Sequence, residues 1–195
     1  MADMSDLLSS VIAAHGGLGR WRTVGAIDVT FNFSGGLLDL KGYPGHRRPS
    51  ASVDAATPRT VLQMLGDESD ERWIFTPNLV WIERRDGTIV EERSDPRAAF
   101  AGNVRETPWD RLHLTYFLGY ALWNYLTTPF LFARRGFATR ELEAHVEGRE
   151  TWRVLEMTYP DDVPAHTKLQ KLYFGNDVML RGCDGKKDDH GAQGP

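Results

Sequence analysis

The chain has 195 residues, of which 41% are hydrophobic, and its formal net charge is −4. This length suits one domain with a sizeable core, and the acidic balance excludes general nucleic-acid binding, which needs a basic stripe. The single cysteine, Cys183, excludes an internal disulfide and a cysteine-rich zinc site.

The N-terminal segment predicts a short helix followed by a strand. No basic stretch precedes an apolar one there, so we expect no signal peptide and a cytoplasmic protein. Ser5 is placed to cap the helix, and the two glycines at 16–17 are placed to end it. Apolar and polar residues alternate from Ile27 to Phe33, which predicts a strand with one buried face. The glycine pair at 35–36 predicts a hairpin turn, after which Leu37 to Leu40 begins the returning strand.

Strands are predicted on both sides of an aromatic segment in the middle of the chain. Apolar runs separated by turn residues predict strands at 50–55, 59–65, 72–75, 79–83, 89–90, 138–146, 152–159, 166–174 and 178–181. Asp86-Gly87 is the strongest hairpin signal, and Asp95 precedes a short predicted helix that reaches Phe100. This order predicts an α+β fold in which a curved antiparallel sheet forms an open half-barrel.

The aromatic segment from Leu112 to Ala133 is uncharged and apolar on every side of a helix. Thr107 is the predicted N-cap, with Pro108 at the first helical position, and Pro129 is the predicted stop. One helical face is predicted to carry Trp109, Leu112, Tyr116, Tyr120, Trp123 and Thr127. We expect this helix to cover the concave face of the sheet.

Three interpretations of this helix are open. A transmembrane span is long enough, but His113, Asn124 and Pro129 within the segment argue against it. An ordinary core helix would use the aromatic residues only for packing. The third interpretation is the wall of a ligand cavity, which the combination of apolar rings and polar hydroxyl or indole groups favours.

Several strings of the sequence resemble a known group of proteins. They are Ala-His-Gly-Gly-Leu from Ala14, Phe-Thr-Pro from Phe75, Asp-Pro-Arg-Ala-Ala-Phe-Ala-Gly from Asp95, and Tyr-Ala-Leu-Trp-Asn-Tyr-Leu-Thr-Thr-Pro-Phe from Tyr120. With these strings the chain resembles a group of uncharacterised actinobacterial-type proteins. The order of elements resembles the outer-membrane lipoprotein carrier (LolA-like) architecture, in which helices cover an unclosed antiparallel barrel. The resemblance carries over no catalytic residue, because fold does not imply function.

The resemblance also implies where the domain ends. Chains of this group continue beyond the position of Leu180 with several more strands, whereas here a polar segment follows. We therefore expect a single LolA-like domain over 1–181 that lacks its closing strands, and a disordered polar tail over 182–195. A sheet of this kind exposes an edge strand.

Catalytic and metal-binding candidates are few. His113 is the best-placed imidazole, because Asp110 and Tyr116 lie three residues before and after it on the predicted helix. A satisfied, half-buried histidine is the simpler interpretation of the same triplet. The loop at 161–166 contains two aspartates and a histidine, but the spacing of metal ligands is missing, so no metal and no cofactor are predicted. Cys183 has no neighbouring base that would make it a nucleophile.

The sequence favours a binding module without catalytic machinery. We expect a cavity for an apolar small molecule or acyl chain, lined by Phe31, Phe33, Trp81, Tyr116, Tyr120 and Trp123. One alternative is an enzyme that uses the same cavity, with His113 as general base and Asp110 or Tyr116 as its partner. The other is a structural protein that pairs with a partner through an exposed sheet edge.

Overall fold

The computed structural model of the protein describes residues 5–63 and 70–186, except for the side chains of 185 and 186. Its fold is α+β, with two antiparallel sheets and few helices. Two compact units hold the described residues. One unit combines those of Met1–Val24 and Thr127–Gly191, and the other contains those of Gly25–Leu126.

The described helices and strands follow one another as short elements joined by turns. The helices are α1 (Asp6–Ala14), α2 (Gly17–Trp21), α3 (Gly36–Leu40) and α4 (Arg111–Thr127), with 3₁₀ turns at Ala98–Phe100 and Phe130–Ala133. The strands are β1 (Ala26–Thr30), β2 (Ser50–Asp54), β3 (Thr60–Gln63), β4 (Glu71–Phe75), β5 (Leu79–Arg84), β6 (Ile89–Ser94), β7 (Ala138–Glu147), β8 (Glu150–Thr158), β9 (Leu169–Phe174) and β10 (Leu180–Lys186).

The unit Gly25–Leu126 contains a six-stranded sheet whose spatial order, β1 to β6, is also its order along the chain. Every neighbouring pair is antiparallel, so each connection is local. Because side chains alternate between the two faces of a strand, β4 presents Trp73 and Phe75 to one face, and β5 adds Val80 and Ile82. Residues of α4 join the same buried cluster, so the helix covers this face of the sheet.

The contact between α4 and the sheet is closest at Gly119. A Cβ atom at this position would lie 2.2 Å from Cβ of Phe75, well inside van der Waals contact. The hydroxyl of Thr60, which is fully buried, donates a hydrogen bond of 2.9 Å to the carbonyl oxygen of Gly119. Glycine is therefore required here so that the helix backbone can approach β3 and β4.

The other unit contains the four-stranded sheet, in the order β10-β9-β8-β7. Helix α1 begins at Ser5, whose hydroxyl accepts a hydrogen bond of 3.3 Å from the backbone N–H of Leu8. It packs against β8 and buries its apolar face, which consists of Leu7, Leu8, Val11 and Ile12. Trp21 at the end of α2 stacks on Phe130 with ring centroids 4.3 Å apart.

Helix α1 ends at Ala14, as the glycine pair at 16–17 predicted, and the short helix α2, which was not predicted, follows it. Two expectations about local structure were wrong. The glycine pair at 35–36 leads into the helix α3, which contains Leu37 and Leu40, and not into a hairpin with a returning strand. Helix α4 begins at Arg111, because the carboxylate of Asp110, not the hydroxyl of Thr107, accepts from a backbone N–H of the first turn.

About six or seven strands were expected before α4 and three or four after it. The structure has six and four, and they form two sheets and not one. Helix α4 ends at Thr127, close to the predicted stop at Pro129. β10 extends to Lys186, so the first residues of the expected tail lie in a strand. The rest of that tail, 187–195, and the end of the strand expected at 59–65 lie outside the described residues. Among the helices that the structure describes, none is long and apolar enough to cross a membrane.

Candidate functional site

Aromatic side chains are concentrated where α4 packs against the six-stranded sheet and the 3₁₀ turn at Ala98–Phe100. Phe100 of the turn is at its centre, with its ring centroid 5.7 Å from that of Trp109 and 5.7 Å from that of Tyr116. The Tyr116 ring also meets Phe75 edge-on at 5.7 Å and Tyr120 at 5.3 Å. Inclined rings at these distances attract one another, so the group packs as one aromatic cluster.

The two tyrosines bring hydroxyl groups into this cluster. Tyr116 and Tyr120 are each only 1% exposed. Burial raises the pKa of Tyr116 to about 12 and that of Tyr120 well above its usual value, so both hydroxyls are hydrogen-bond donors at neutral pH. Among the residues that the structure describes, none forms a hydrogen bond with the Tyr116 hydroxyl, and the nearest charges that act on it are those of Arg97 and Asp95.

The structure brings together some of the six predicted lining residues. Phe33 belongs to the same buried hydrophobic core as Tyr116 and Tyr120, and Phe31 packs against this core. Trp123 is also buried, and its indole N–H donates 3.0 Å to the backbone carbonyl of Asp54.

Trp81 does not share a face with these residues. Its neighbours in β5, Val80 and Ile82, belong to the buried cluster, so the side chain between them points to the other face of the sheet. The indole of Trp81 donates 2.7 Å to the carboxylate of Glu83 instead. The alternation of β5 was visible in the sequence, but the sequence alone did not show which of its two faces α4 covers.

His113 and Asp110 form a contact, as the helical spacing predicted. Nδ1 of His113 lies 2.8 Å from a carboxylate oxygen of Asp110, and Nε2 lies 3.0 Å from the backbone oxygen of Ala99. Arg93 binds the same carboxylate with both terminal nitrogens, at 3.2 and 2.5 Å. Both ring nitrogens of His113 are thus engaged by protein groups, and its side chain is only 13% exposed.

The ionisation of Asp110 follows from these partners. Burial raises the pKa of Asp110. The hydrogen bonds from Arg93 and from the backbone N–H of His113 lower it, as do the electrostatic contributions of the Arg93 and His113 side chains. The resulting pKa is about 2. Asp110 is therefore an ionised N-cap at neutral pH. The pair links the start of α4 to β6 and to the 3₁₀ turn.

A second polar network at the start of α4 was not predicted. Arg111 pairs with Glu71 and with Glu91, the latter at 2.9 Å, and its guanidinium lies 5.0 Å from the ring centroid of Trp73. Glu71 is 5% exposed and also accepts 3.2 Å from the indole of Trp73. The period of two in β4 places Glu71, Trp73 and Phe75 on one face, and this was the signal available in the sequence.

Lys41 is the other unpredicted buried charge. It is 5% exposed, and Nζ donates to the backbone oxygens of Val104, Arg105 and Thr107 at 3.2, 2.8 and 3.1 Å. Its ammonium also lies 5.1 Å from the ring centroid of Trp109. Three carbonyl acceptors satisfy the three donors of an ammonium group.

No group of three or more potential metal ligands occurs within the described part of the chain. Asp161 of the loop that the sequence singled out pairs with Lys168. Cys183 in β10 is an exposed free thiol.

No protein family matches this chain, and no match is found among the curated proteins or among the solved structures.

Proposed function

We propose that the unit Gly25–Leu126 binds an apolar small molecule or acyl chain next to Tyr116. The observation that carries this proposal is the Tyr116 side chain, which is 1% exposed among apolar rings and whose hydroxyl has no hydrogen bond to a described residue. A ligand oxygen that accepts a hydrogen bond from this hydroxyl would contribute about 0.5–1.5 kcal/mol to binding. The surrounding rings of Phe75, Phe100 and Tyr120 provide an apolar environment for the rest of the ligand.

The proposal includes the half-barrel and the cytoplasmic location that the sequence predicts. In it, the six-stranded sheet curves around α4 as the sheet of the lipoprotein carriers does, and Phe31, Phe33 and Trp123 complete the lining. Their position at α4 or in contact with its cluster supports this part of the proposal. Trp81 is left out, because it points to the other face of the sheet.

The test is binding by the intact purified protein. Native mass spectrometry and lipid extraction would detect a co-purifying ligand, and titration with a fluorescent fatty acid would measure affinity. We expect Tyr116→Phe, which keeps the ring and removes the hydroxyl, to weaken binding about tenfold, the equivalent of one hydrogen bond. Tyr125→Phe, on the exposed part of the same helix, is the matched control and should bind like the wild type. A protein that carries no ligand and takes up no fatty acid would refute the proposal.

An enzyme is the second candidate, and the contact between His113 and Asp110 is the observation that favours it. In that case His113 acts as a general base after Nε2 leaves the Ala99 oxygen. If His113→Ala kept full turnover of any substrate that the protein is found to convert, this assignment would be excluded.

A further inference from the structure

The four-stranded sheet carries three aromatic rings side by side, one on each of three neighbouring strands. We call His145 in β7, Trp152 in β8 and Tyr173 in β9 the aromatic row. His145 and Trp152 are cross-strand partners with ring centroids 6.0 Å apart. The Tyr173 centroid lies 5.2 Å from that of His145 and 6.4 Å from that of Trp152. The rings belong to one unit of the protein and take no part in the aromatic cluster of α4.

Each ring of the aromatic row has a carboxylate at its polar edge. The indole N–H of Trp152 donates 2.8 Å to Glu150, and the hydroxyl of Tyr173 donates 2.8 Å to Asp184. Nε2 of His145 lies 3.1 Å from Glu147. Among the described residues, no Lys or Arg side chain lies within ion-pair distance of these three carboxylates, although Lys171 faces Asp184 across the strands.

Part of the row is exposed. The side chain of His145 is 45% exposed and that of Glu147 is 62% exposed, whereas Trp152 and Tyr173 are half-buried. An exposed ring with a carboxylate beside it suits a guanidinium, which stacks on the ring and forms hydrogen bonds to the carboxylate. The net charge of −4 also favours the approach of a cationic partner.

We propose that the aromatic row binds an extended, arginine-containing segment of a partner protein, with arginines at alternate positions. Side chains on one face of an extended segment are about 6.6 Å apart. The ring centroids of Trp152 and Tyr173 are 6.4 Å apart and the ring planes are inclined at 65°, so two arginines at this spacing can each contact one of the two rings. One guanidinium then reaches Glu150 and the other reaches Asp184, while Glu147 adds negative charge at the end of the row.

The experiment is a titration of the full chain, at low ionic strength and followed by NMR, with a short capped peptide. The probe peptide has two arginines separated by one serine. A second peptide has the same composition with adjacent arginines, and a third has glutamates in their place. We expect the probe to shift the side-chain resonances of Trp152 and Tyr173, and to bind more tightly than the second peptide. The third should not bind.

Two double variants separate a local site from a general charge effect. Glu150→Gln with Asp184→Asn keeps the hydrogen-bond acceptors, and it should weaken binding about tenfold, the sum of two exposed ion pairs. Glu92→Gln with Glu106→Gln changes the net charge equally at exposed positions far along the chain, and it should leave binding unchanged. Trp152→Leu should abolish the preference for alternate arginines, with circular dichroism as the check on folding.

The proposal would be overturned if no peptide bound at millimolar concentration, or if the peptides with the two arginine spacings bound equally. It would also be overturned if both double variants lost the same affinity, or if a neutral oligosaccharide bound at the same rings in place of the peptide. The proposed ligand near Tyr116 does not enter this test, so either proposal can fail alone.

Discussion

The buried environment of Lys41 could not be inferred from its residue type. Lysine is almost never fully buried unless it is paired, yet Lys41 is 5% exposed and lies against Trp109. Its partners are three backbone carbonyls of one loop and not a carboxylate. Backbone acceptors leave no mark in the amino-acid sequence, so no pattern could have predicted this contact.

Replacing Lys41 by methionine should strongly destabilise the protein. The substitution keeps the length of the side chain but leaves the buried carbonyls of Val104, Arg105 and Thr107 without their donor. We expect the free energy of unfolding to fall by about 3 kcal/mol in urea denaturation. Lys168→Met is the control, because Lys168 is half-exposed, and it should change stability by less than about 0.5 kcal/mol. Equal effects of the two substitutions would contradict this role of Lys41.

Gly119 illustrates a second residue whose role depends on a neighbouring element. In a helix interior, replacing glycine by alanine normally adds up to about 1 kcal/mol of stability. At Gly119 the new Cβ would lie 2.2 Å from Cβ of Phe75, so we expect Gly119→Ala to lower stability by about 2 kcal/mol instead. Thermal and urea unfolding would show this reversal of sign.

A control and a coupling test accompany the Gly119 prediction. Gly19 in α2 has open space around the position of a Cβ, so Gly19→Ala should be neutral or stabilising. Because the clash is with Cβ and Cγ of Phe75, the pair Gly119→Ala and Phe75→Gly should be less destabilising than the sum of the two single substitutions. Simple additivity would mean that the close approach to Phe75 is not the cause.

Among the elements, α4 was the easiest to recognise and the hardest to delimit. Its apolar periodicity predicted the helix, and its predicted end near Pro129 was confirmed. Its predicted start at Thr107 was wrong, because the Thr107 carbonyl accepts from Lys41 and the Trp109 N–H donates 3.0 Å to the Lys41 carbonyl. Residues 107–109 are therefore held outside the helix by a distant segment, and Asp110 becomes the cap.

The charge of Asp110 should make the stability of α4 depend on pH. Its pKa in the folded protein is about 2, below the value of about 3.9 in an unfolded chain. The ionised carboxylate therefore stabilises the folded state above about pH 4, and this contribution is lost as the pH falls towards 2. Asp110→Asn keeps the N-cap but removes the charge, so it should lower stability by about 1 kcal/mol at pH 7, allowing for solvent screening.

The measurement is urea unfolding of the wild type and of Asp110→Asn at pH 7, 4 and 2.5. The difference between the two proteins should shrink as the pH is lowered. Glu92→Gln, at an exposed position of β6, should show no such trend. A difference that stayed constant with pH would show that the charge of Asp110 does not stabilise the fold.

At the scale of the whole molecule, the sheets are simple meanders in which every strand pairs with its neighbour along the chain. Inner strands are hydrogen-bonded on both sides, whereas β1, β6, β7 and β10 are the edge strands. The alternative of a structural protein that pairs with a partner through a sheet edge depends on edge strands with free backbone groups.

Hydrogen exchange should distinguish these strands. Amides of β3, β4 and β8 should exchange at least about 100-fold more slowly than outward-facing amides of β1 and β10, because inner strands open only in larger unfolding events. Exchange read by NMR at several protein concentrations is the measurement. Slow exchange at β10 that appears only at high concentration would indicate pairing of its edge with a second copy, in favour of the structural alternative.

The sequence alone determined the class of the fold and most of its elements. Hairpin signals such as Asp86-Gly87 and the alternation in β4 and β5 depend on residues adjacent in the chain. The six strands before α4 and the four after it lie within the expected numbers. The same holds for the contact between His113 and Asp110, which helical spacing brings together.

Only the tertiary structure decided which faces meet and which polar groups are paired. It divided the strands into two sheets, turned Trp81 away from α4, and brought Lys41 and Glu71 to partners more than 30 residues away. The physical reason is that burial and hydrogen bonding between distant segments depend on the whole fold. Local patterns in the sequence record only that a residue is apolar or charged, and not which segment will cover it.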